Sequence, residues 1–217
     1  MQDLVVNGVD VTPFVEAELD RRDPDRARMR PTDPEGFREA WDVVERLWAG
    51  TIERARTLDP RLRHASVDGE WSFVETLRHL VFATDAWVRR GVLGDPSPWH
   101  PLGLPWDQMP DTPGNPRDRT ARPSLDEVLV LRHDRMRSVR ALIDGLTEEL
   151  LTADTEPVAG PGWPPPLRRA RPRRAGGGGV QRVAVRVQDV AGLGPQIRHG
   201  HRPRPRAGLR RGRHCPA

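Results

Sequence analysis

The chain has 217 residues, of which 36% are hydrophobic, with 23 prolines and 20 glycines, so its apolar content is below that of an ordinary globular domain. Residues 1–166 carry a net charge of −9, whereas residues 167–217 carry 14 arginines against one acid, a net charge of +13. A single cysteine, Cys215, excludes an internal disulfide framework. No apolar run approaches the roughly 20 residues that span a bilayer, and the N-terminus lacks the features of a secretory signal. We therefore expect a cytoplasmic protein with no membrane contact.

Residues 1–32 are predicted to form an N-terminal arm that includes one short helix. Apolar residues alternate loosely on both sides of Asn7-Gly8, a pattern that fits either a short hairpin or an extended arm. Thr12-Pro13 follows, which predicts a helix N-cap with proline at the first helical position. The Asp23-Pro24 and Arg30-Pro31 pairs are expected to break this helix.

Three longer helices are predicted from apolar residues spaced three and four apart. The first opens at Asp33-Pro34 and stops at Asp59-Pro60. The second begins at Ser72 with Glu75 at the capping-box position and ends in the range 91–94, and the third begins at Ser124 with Glu127 at the same spacing. Trp41, Trp48 and Trp87 fall on these stripes and are core candidates.

The connection between the second and third long helices, residues 95–123, contains eight prolines and two tryptophans. Connections of this length inside a compact domain are usually functional or mobile. Trp99 and Trp106 could line a pocket there, and His100 is expected to cover the end of the helices.

A closing helix is expected after residue 166, because three amphipathic helices with such large aromatic residues favour a fourth partner. No such pattern is found in residues 167–217. An uncovered three-helix core would expose an apolar groove, which favours a homodimer.

The composition of residues 167–217 suggests two explanations. Arg, Gly, Pro and Ala account for 34 of its 51 residues, and all four have codons that begin with two G or C bases. One hypothesis is that the chain leaves its natural reading frame near Pro166 and loses an acidic fourth helix. The alternative is a disordered arginine-rich arm that binds nucleic acid.

Residues 33–166 resemble the DinB-like superfamily of metal-binding four-helix bundles. The resemblance rests on Trp71-Ser72 at the start of the second long helix, Leu-Arg-His-Leu around His79, Asp85-Ala86-Trp87, and the His100-Pro101-Leu102-Gly103 stretch. It implies an all-α, up-down-down-up bundle, here with the fourth helix missing or replaced by the tail. Some members of that superfamily are mycothiol-dependent maleylpyruvate isomerases and thiol S-transferases.

The resemblance also implies a divalent metal, Zn²⁺ or Ni²⁺, held by one histidine of the second helix and two of the fourth. His79 matches the second-helix ligand. The fourth-helix pair, two histidines four residues apart, is absent from this chain: His199 and His201 are two apart, and His214 stands alone. A low-molecular-weight thiol is the other cofactor that the resemblance implies.

His79 has an alternative interpretation as a partly buried polar residue with a backbone partner, because it lies at the edge of the apolar face of the second long helix. His64 is predicted in a loop, and His133 at a solvated or interfacial edge. The resulting expectation is a DinB-like transferase or isomerase for a small molecule, impaired by an incomplete metal site. The alternative is a non-catalytic protein that binds nucleic acid through its tail.

Overall fold

The structure, a computed structural model, describes residues 4–155, 158 and 160–162. It begins with a two-stranded antiparallel hairpin, β1 (Val5–Val6) and β2 (Val9–Asp10). Asn7 and Gly8 make the turn, both with positive φ (49° and 80°), as a two-residue hairpin turn requires. Of the two interpretations of the N-terminal segment, the hairpin is therefore confirmed.

Two short helices follow, α1 (Thr12–Arg22) and α2 (Pro24–Arg28). The predicted N-cap at Thr12 was wrong: the N-cap residue is Val11, and the Thr12 hydroxyl accepts a hydrogen bond from the Leu4 backbone N–H at 2.9 Å instead. The Thr12 side chain is therefore bound to the hairpin and does not cap α1. Pro24 opens α2 as well as following α1, because proline suits the first turn of a helix.

The three long helices are α3 (Pro34–Thr57), α4 (Phe73–Thr84) and α5 (Leu125–Asp144). Each begins where its cap predicts. The Asp33 carboxylate accepts from Gly36 N at 2.8 Å, and Ser72 and Ser124 form complete capping boxes with the glutamates three residues on. A 3₁₀ turn (Leu62–His64) precedes α4, and a short helix, α6 (Glu148–Thr152), follows α5.

The second long helix does not remain α-helical to its end. After Thr84 it continues as a π-helix over Asp85–Arg90. π-helical turns are rare and are often found at functional sites. This one brings Asp85, Ala86, Val88 and Arg90 to buried positions.

Helix α5 packs against both other long helices, in opposite directions. Arg56 pairs with Asp126 at 2.7 Å, while the Arg140 guanidinium contacts Asp42 and Glu45 at 2.6 Å each, so α3 and α5 are antiparallel. Val74 packs near Leu125 at the start of both helices, and Asp85, just after α4, pairs with Arg135 further along α5. Helices α4 and α5 are therefore parallel. The three helices thus follow the first three directions of an up-down-down-up bundle.

The core lies along these two contacts. Phe37 and Trp41 of α3 pack with Val139 and Ile143 of α5. A second cluster contains Val74 and Leu77 of α4 with the start of α5: Leu125, Val128 and Leu129. Trp41 is fully buried, whereas Trp48 and Trp87 are half-buried at its edge.

The described part of the chain contains no helix that is both long and apolar enough to cross a membrane. The fourth helix that the bundle would need, and the tail 167–217, lie outside the described residues. The domain boundaries at residues 32 and 166 stay predictions.

Candidate functional site

His79 lies on α4 under the 95–123 connection. Its ring is 4.6 Å from the ring of Trp71 and 6.4 Å from that of Phe82, measured between centroids. Its Nδ1 is 2.9 Å from the backbone oxygen of Leu104. The imidazole is therefore half-buried between aromatic rings and fixed by a backbone hydrogen bond.

Leu104 is held in place by the residue that precedes His79. The buried Arg78 guanidinium donates from Nε to the Leu102 carbonyl at 2.9 Å, from Nη1 to the Ala121 carbonyl at 3.1 Å, and to the Asp118 carbonyl. The Leu104 N–H in turn donates to the Arg78 carbonyl at 3.2 Å. Burial lowers the pKa of Arg78. These bonds fix both ends of the connection to α4 and fix the acceptor for His79.

The hydrogen bond at Nδ1 determines the tautomer of a neutral His79. A carbonyl oxygen can only accept, so Nδ1 carries the proton and Nε2 carries the lone pair. Metal-binding histidines commonly show this arrangement, in which one ring nitrogen donates to a backbone carbonyl while the other binds the metal. The same geometry also satisfies a partly buried histidine without a metal, so the predicted metal role of His79 stays a prediction.

The other histidines in the described part of the chain do not join His79. His100 Nδ1 accepts from the Leu102 N–H at 3.1 Å, and burial together with the Arg135 charge lowers the pKa of His100. His64 is in the 3₁₀ turn, and His133 is exposed on α5. His199, His201 and His214 lie outside the described residues.

Over residues 4–155, 158 and 160–162, no three His, Cys, Asp or Glu side chains lie close enough together to hold a metal ion. Protein sites that hold Zn²⁺ firmly use three or four protein ligands. One imidazole does not meet that requirement, so the described residues alone do not fit a tightly bound divalent metal.

Asp85 and Arg135 form a buried ion pair. Arg135 donates from Nε to Oδ1 at 2.8 Å and from Nη2 to Oδ2 at 3.2 Å, and Asp85 is 0% exposed. Burial raises the pKa of Asp85, opposed by the Arg135 hydrogen bonds and by a backbone N–H from His100. Burial lowers the pKa of Arg135, but the bonds to Asp85 outweigh it and raise that pKa. The pair joins the π-helix, α5 and the connection.

The two tryptophans of the connection pack on α4. Trp99 is stacked on Phe82, with centroids 5.5 Å apart and planes at 21°, and Trp106 meets the same ring edge-on at 6.4 Å. They form a cluster with Ala86 and Met109. The sequence indicated these tryptophans as pocket candidates, and the structure packs both on Phe82, whose ring also neighbours His79.

Residues 160–162 reach the same region. Arg90 donates from Nη2 to the Gly160 carbonyl at 2.9 Å and from Nη1 to the Pro96 carbonyl at 2.7 Å. A Cβ at Gly162 would lie 2.9 Å from the Trp99 ring and 3.1 Å from the Arg90 guanidinium. Only glycine fits there, so the chain that leaves α6 is brought close to the aromatic cluster.

The sequence indicated Asp85 only as part of a family motif. Neither its ion pair with Arg135 nor the burial of the arginines was predicted. The signal was present: Arg78, Asp85, Arg132 and Arg135 are charged residues at or beside buried stripe positions, where the helical spacing favours apolar ones.

Comparison with known proteins gives one match. The model of the DinB superfamily matches residues 16–172. No curated protein and no solved structure matches the chain.

Proposed function

Because the chain belongs to the DinB superfamily, we propose that it is a small-molecule-binding protein of the metal-dependent, thiol-transferase or isomerase type, with His79 at a ligand position. We further propose that its metal binding is weak and its activity impaired. Among the described residues, no three His, Cys, Asp or Glu side chains lie together, whereas sites that hold Zn²⁺ firmly use three or four protein ligands.

The observation that carries this proposal is the Nδ1–Leu104 hydrogen bond of His79. Because this bond places the proton of the neutral ring on Nδ1, the lone pair is on Nε2, the nitrogen that would bind an ion. A zinc or nickel ion held there would act as a Lewis acid for a thiol or water.

The remaining site residues serve to position His79 and to exclude water. Trp71 and Phe82 hold the ring between them, and Arg78 fixes the carbonyl that sets the tautomer. Trp99 and Trp106 extend the apolar wall, which suits a small molecule with an apolar part. These residues form the part of the proposed site that the chain retains.

Equilibrium dialysis of the full chain against Zn²⁺ and Ni²⁺ tests the proposal, with His79→Ala as the variant and His133→Ala as the matched control. His133 is also a helical histidine but is exposed. We expect weak binding that falls in His79→Ala and is unchanged in His133→Ala. Equal binding by all three proteins would exclude a ligand role for His79, and stoichiometric tight binding would show that the site is complete.

A further inference from the structure

Arg132 lies in the middle of the buried face of α5, between Leu129 and Met136. Its side chain is 1% exposed. This is the position where the helix faces the interior of the bundle, and an apolar residue would be expected there. The two core clusters lie on either side of it along the helix.

The Arg132 guanidinium contacts an aromatic ring, and two of its nitrogens have no acceptor among the described residues. Its Cζ is 5.8 Å from the centroid of Trp48 on α3, over the ring face, which is a cation–π distance. Within the described part of the chain, Nε and Nη1 are buried and have no hydrogen-bond partner. Buried arginines are normally paired or hydrogen-bonded, so Arg132 is an exception that needs an explanation.

Two carboxylates of the neighbouring elements, Asp85 and Glu45, already have other partners. Asp85 is paired with Arg135. Glu45 accepts from Arg140 at 2.6 Å and from the Trp41 indole at 2.9 Å. Burial lowers the pKa of Arg132 to about 10, so it is still protonated at neutral pH. One positive charge in the interior is therefore unmatched.

We propose that Arg132 anchors a binding site for a small organic monocarboxylate, whose oxygens accept from the guanidinium and whose apolar part lies against Trp48. A monocarboxylate brings one negative charge for one unmatched cation. A phosphate dianion would bring a second charge with no partner. Trp48 is half-buried, so its indole is the partly exposed side of this contact. This site goes beyond the proposed function and does not depend on metal binding by His79.

Thermal unfolding of the full chain, with benzoate as the probe, tests the proposal at constant ionic strength. Benzamide has the same ring without the charge, and inorganic phosphate is the other oxyanion. We expect benzoate to raise the Tm saturably by about 3 °C or more at concentrations well above Kd, and benzamide and phosphate to have little effect. A shift of equal size with phosphate would overturn the carboxylate assignment.

Arg132→Met removes the cation with a side chain of similar length, and Arg137→Met is the matched control because Arg137 is exposed on the same helix. We expect the benzoate shift to disappear in Arg132→Met and to persist in Arg137→Met. Arg132→Lys keeps the charge but lacks Nε–H, so benzoate should bind at least about tenfold more weakly by calorimetry. No shift in the wild-type chain, or an equal shift in Arg132→Met, would overturn the site.

Discussion

At the junction of α4 with the 95–123 connection, each buried charge has partners: Arg78 is bound by three carbonyls and Arg135 by the Asp85 carboxylate. In the middle of α5, the equally buried Arg132 contacts an aromatic ring, and its Nε and Nη1 have no acceptor within the part of the chain that the structure describes. The free energy of burying a guanidinium depends on whether its N–H groups are satisfied. Arg78 and Arg135 therefore stabilise the packing of the connection. In the middle of α5, we expect Arg132 to destabilise the fold unless a ligand is bound.

The largest effect is expected at Arg78. Arg78→Leu would leave three carbonyls of the connection without their buried donor, and we expect the free energy of unfolding to fall by about 4 kcal/mol. Urea unfolding measures it. Arg122→Leu, an exposed arginine in the same connection, should change stability by less than about 0.5 kcal/mol. Similar values for the two variants would mean that Arg78 does not fasten the connection.

The Asp85–Arg135 pair allows a double-mutant cycle. Asp85→Leu removes the buried partner of Arg135 and leaves it only the partly exposed Asp134 carboxylate at 2.9 Å, so we expect a loss of about 3 kcal/mol. The double variant Asp85→Leu/Arg135→Leu should recover about 2 kcal/mol of it, because no unmatched charge remains. Additive losses from the two substitutions would indicate that the pair is not coupled. The same unfolding measurement serves for all three variants.

Arg132 should respond with the opposite sign. In the absence of a ligand, Arg132→Met removes an unmatched buried cation, and we expect the free energy of unfolding to rise by about 2 kcal/mol. Arg137→Met should leave it within about 0.5 kcal/mol of the wild-type value. A loss of stability in Arg132→Met would show that the contact with Trp48 compensates for burial, and the contrast between the two regions would then fail.

Much of the fold could be predicted from local signals. Asp33, Ser72 and Ser124 begin helices because their side chains accept from the backbone three residues on, and that interaction is encoded within four residues. The all-α class and the DinB resemblance are confirmed. The N-cap at Thr12 was wrong because its hydroxyl is bound by Leu4, eight residues away.

The site was less predictable because its contacts are distant in sequence. The acceptor of His79 is 25 residues away and the partner of Asp85 is 50 residues away. The apolar stripe of α5 is interrupted at position 132, which is an arginine. From sequence, a polar residue within a stripe is usually interpreted as a break in the buried face. Only the packing of α3 against α5 shows that this residue is buried.

The smallest predicted effect is a pH dependence that follows from Arg132. Burial lowers the pKa of Arg132 to about 10 in the folded chain, below its value in the unfolded chain. Above pH 10 the unfolded chain therefore binds more protons than the folded one, and stability rises with pH. The cost of burial is fully present below pH 10. Between pH 9 and 11 we expect wild-type stability to increase by about 1 kcal/mol relative to Arg132→Met. The chain has no lysine or tyrosine, so few other groups titrate in this range, and urea unfolding at each pH measures the difference. Parallel profiles for the two proteins would mean that the folded state does not lower this pKa.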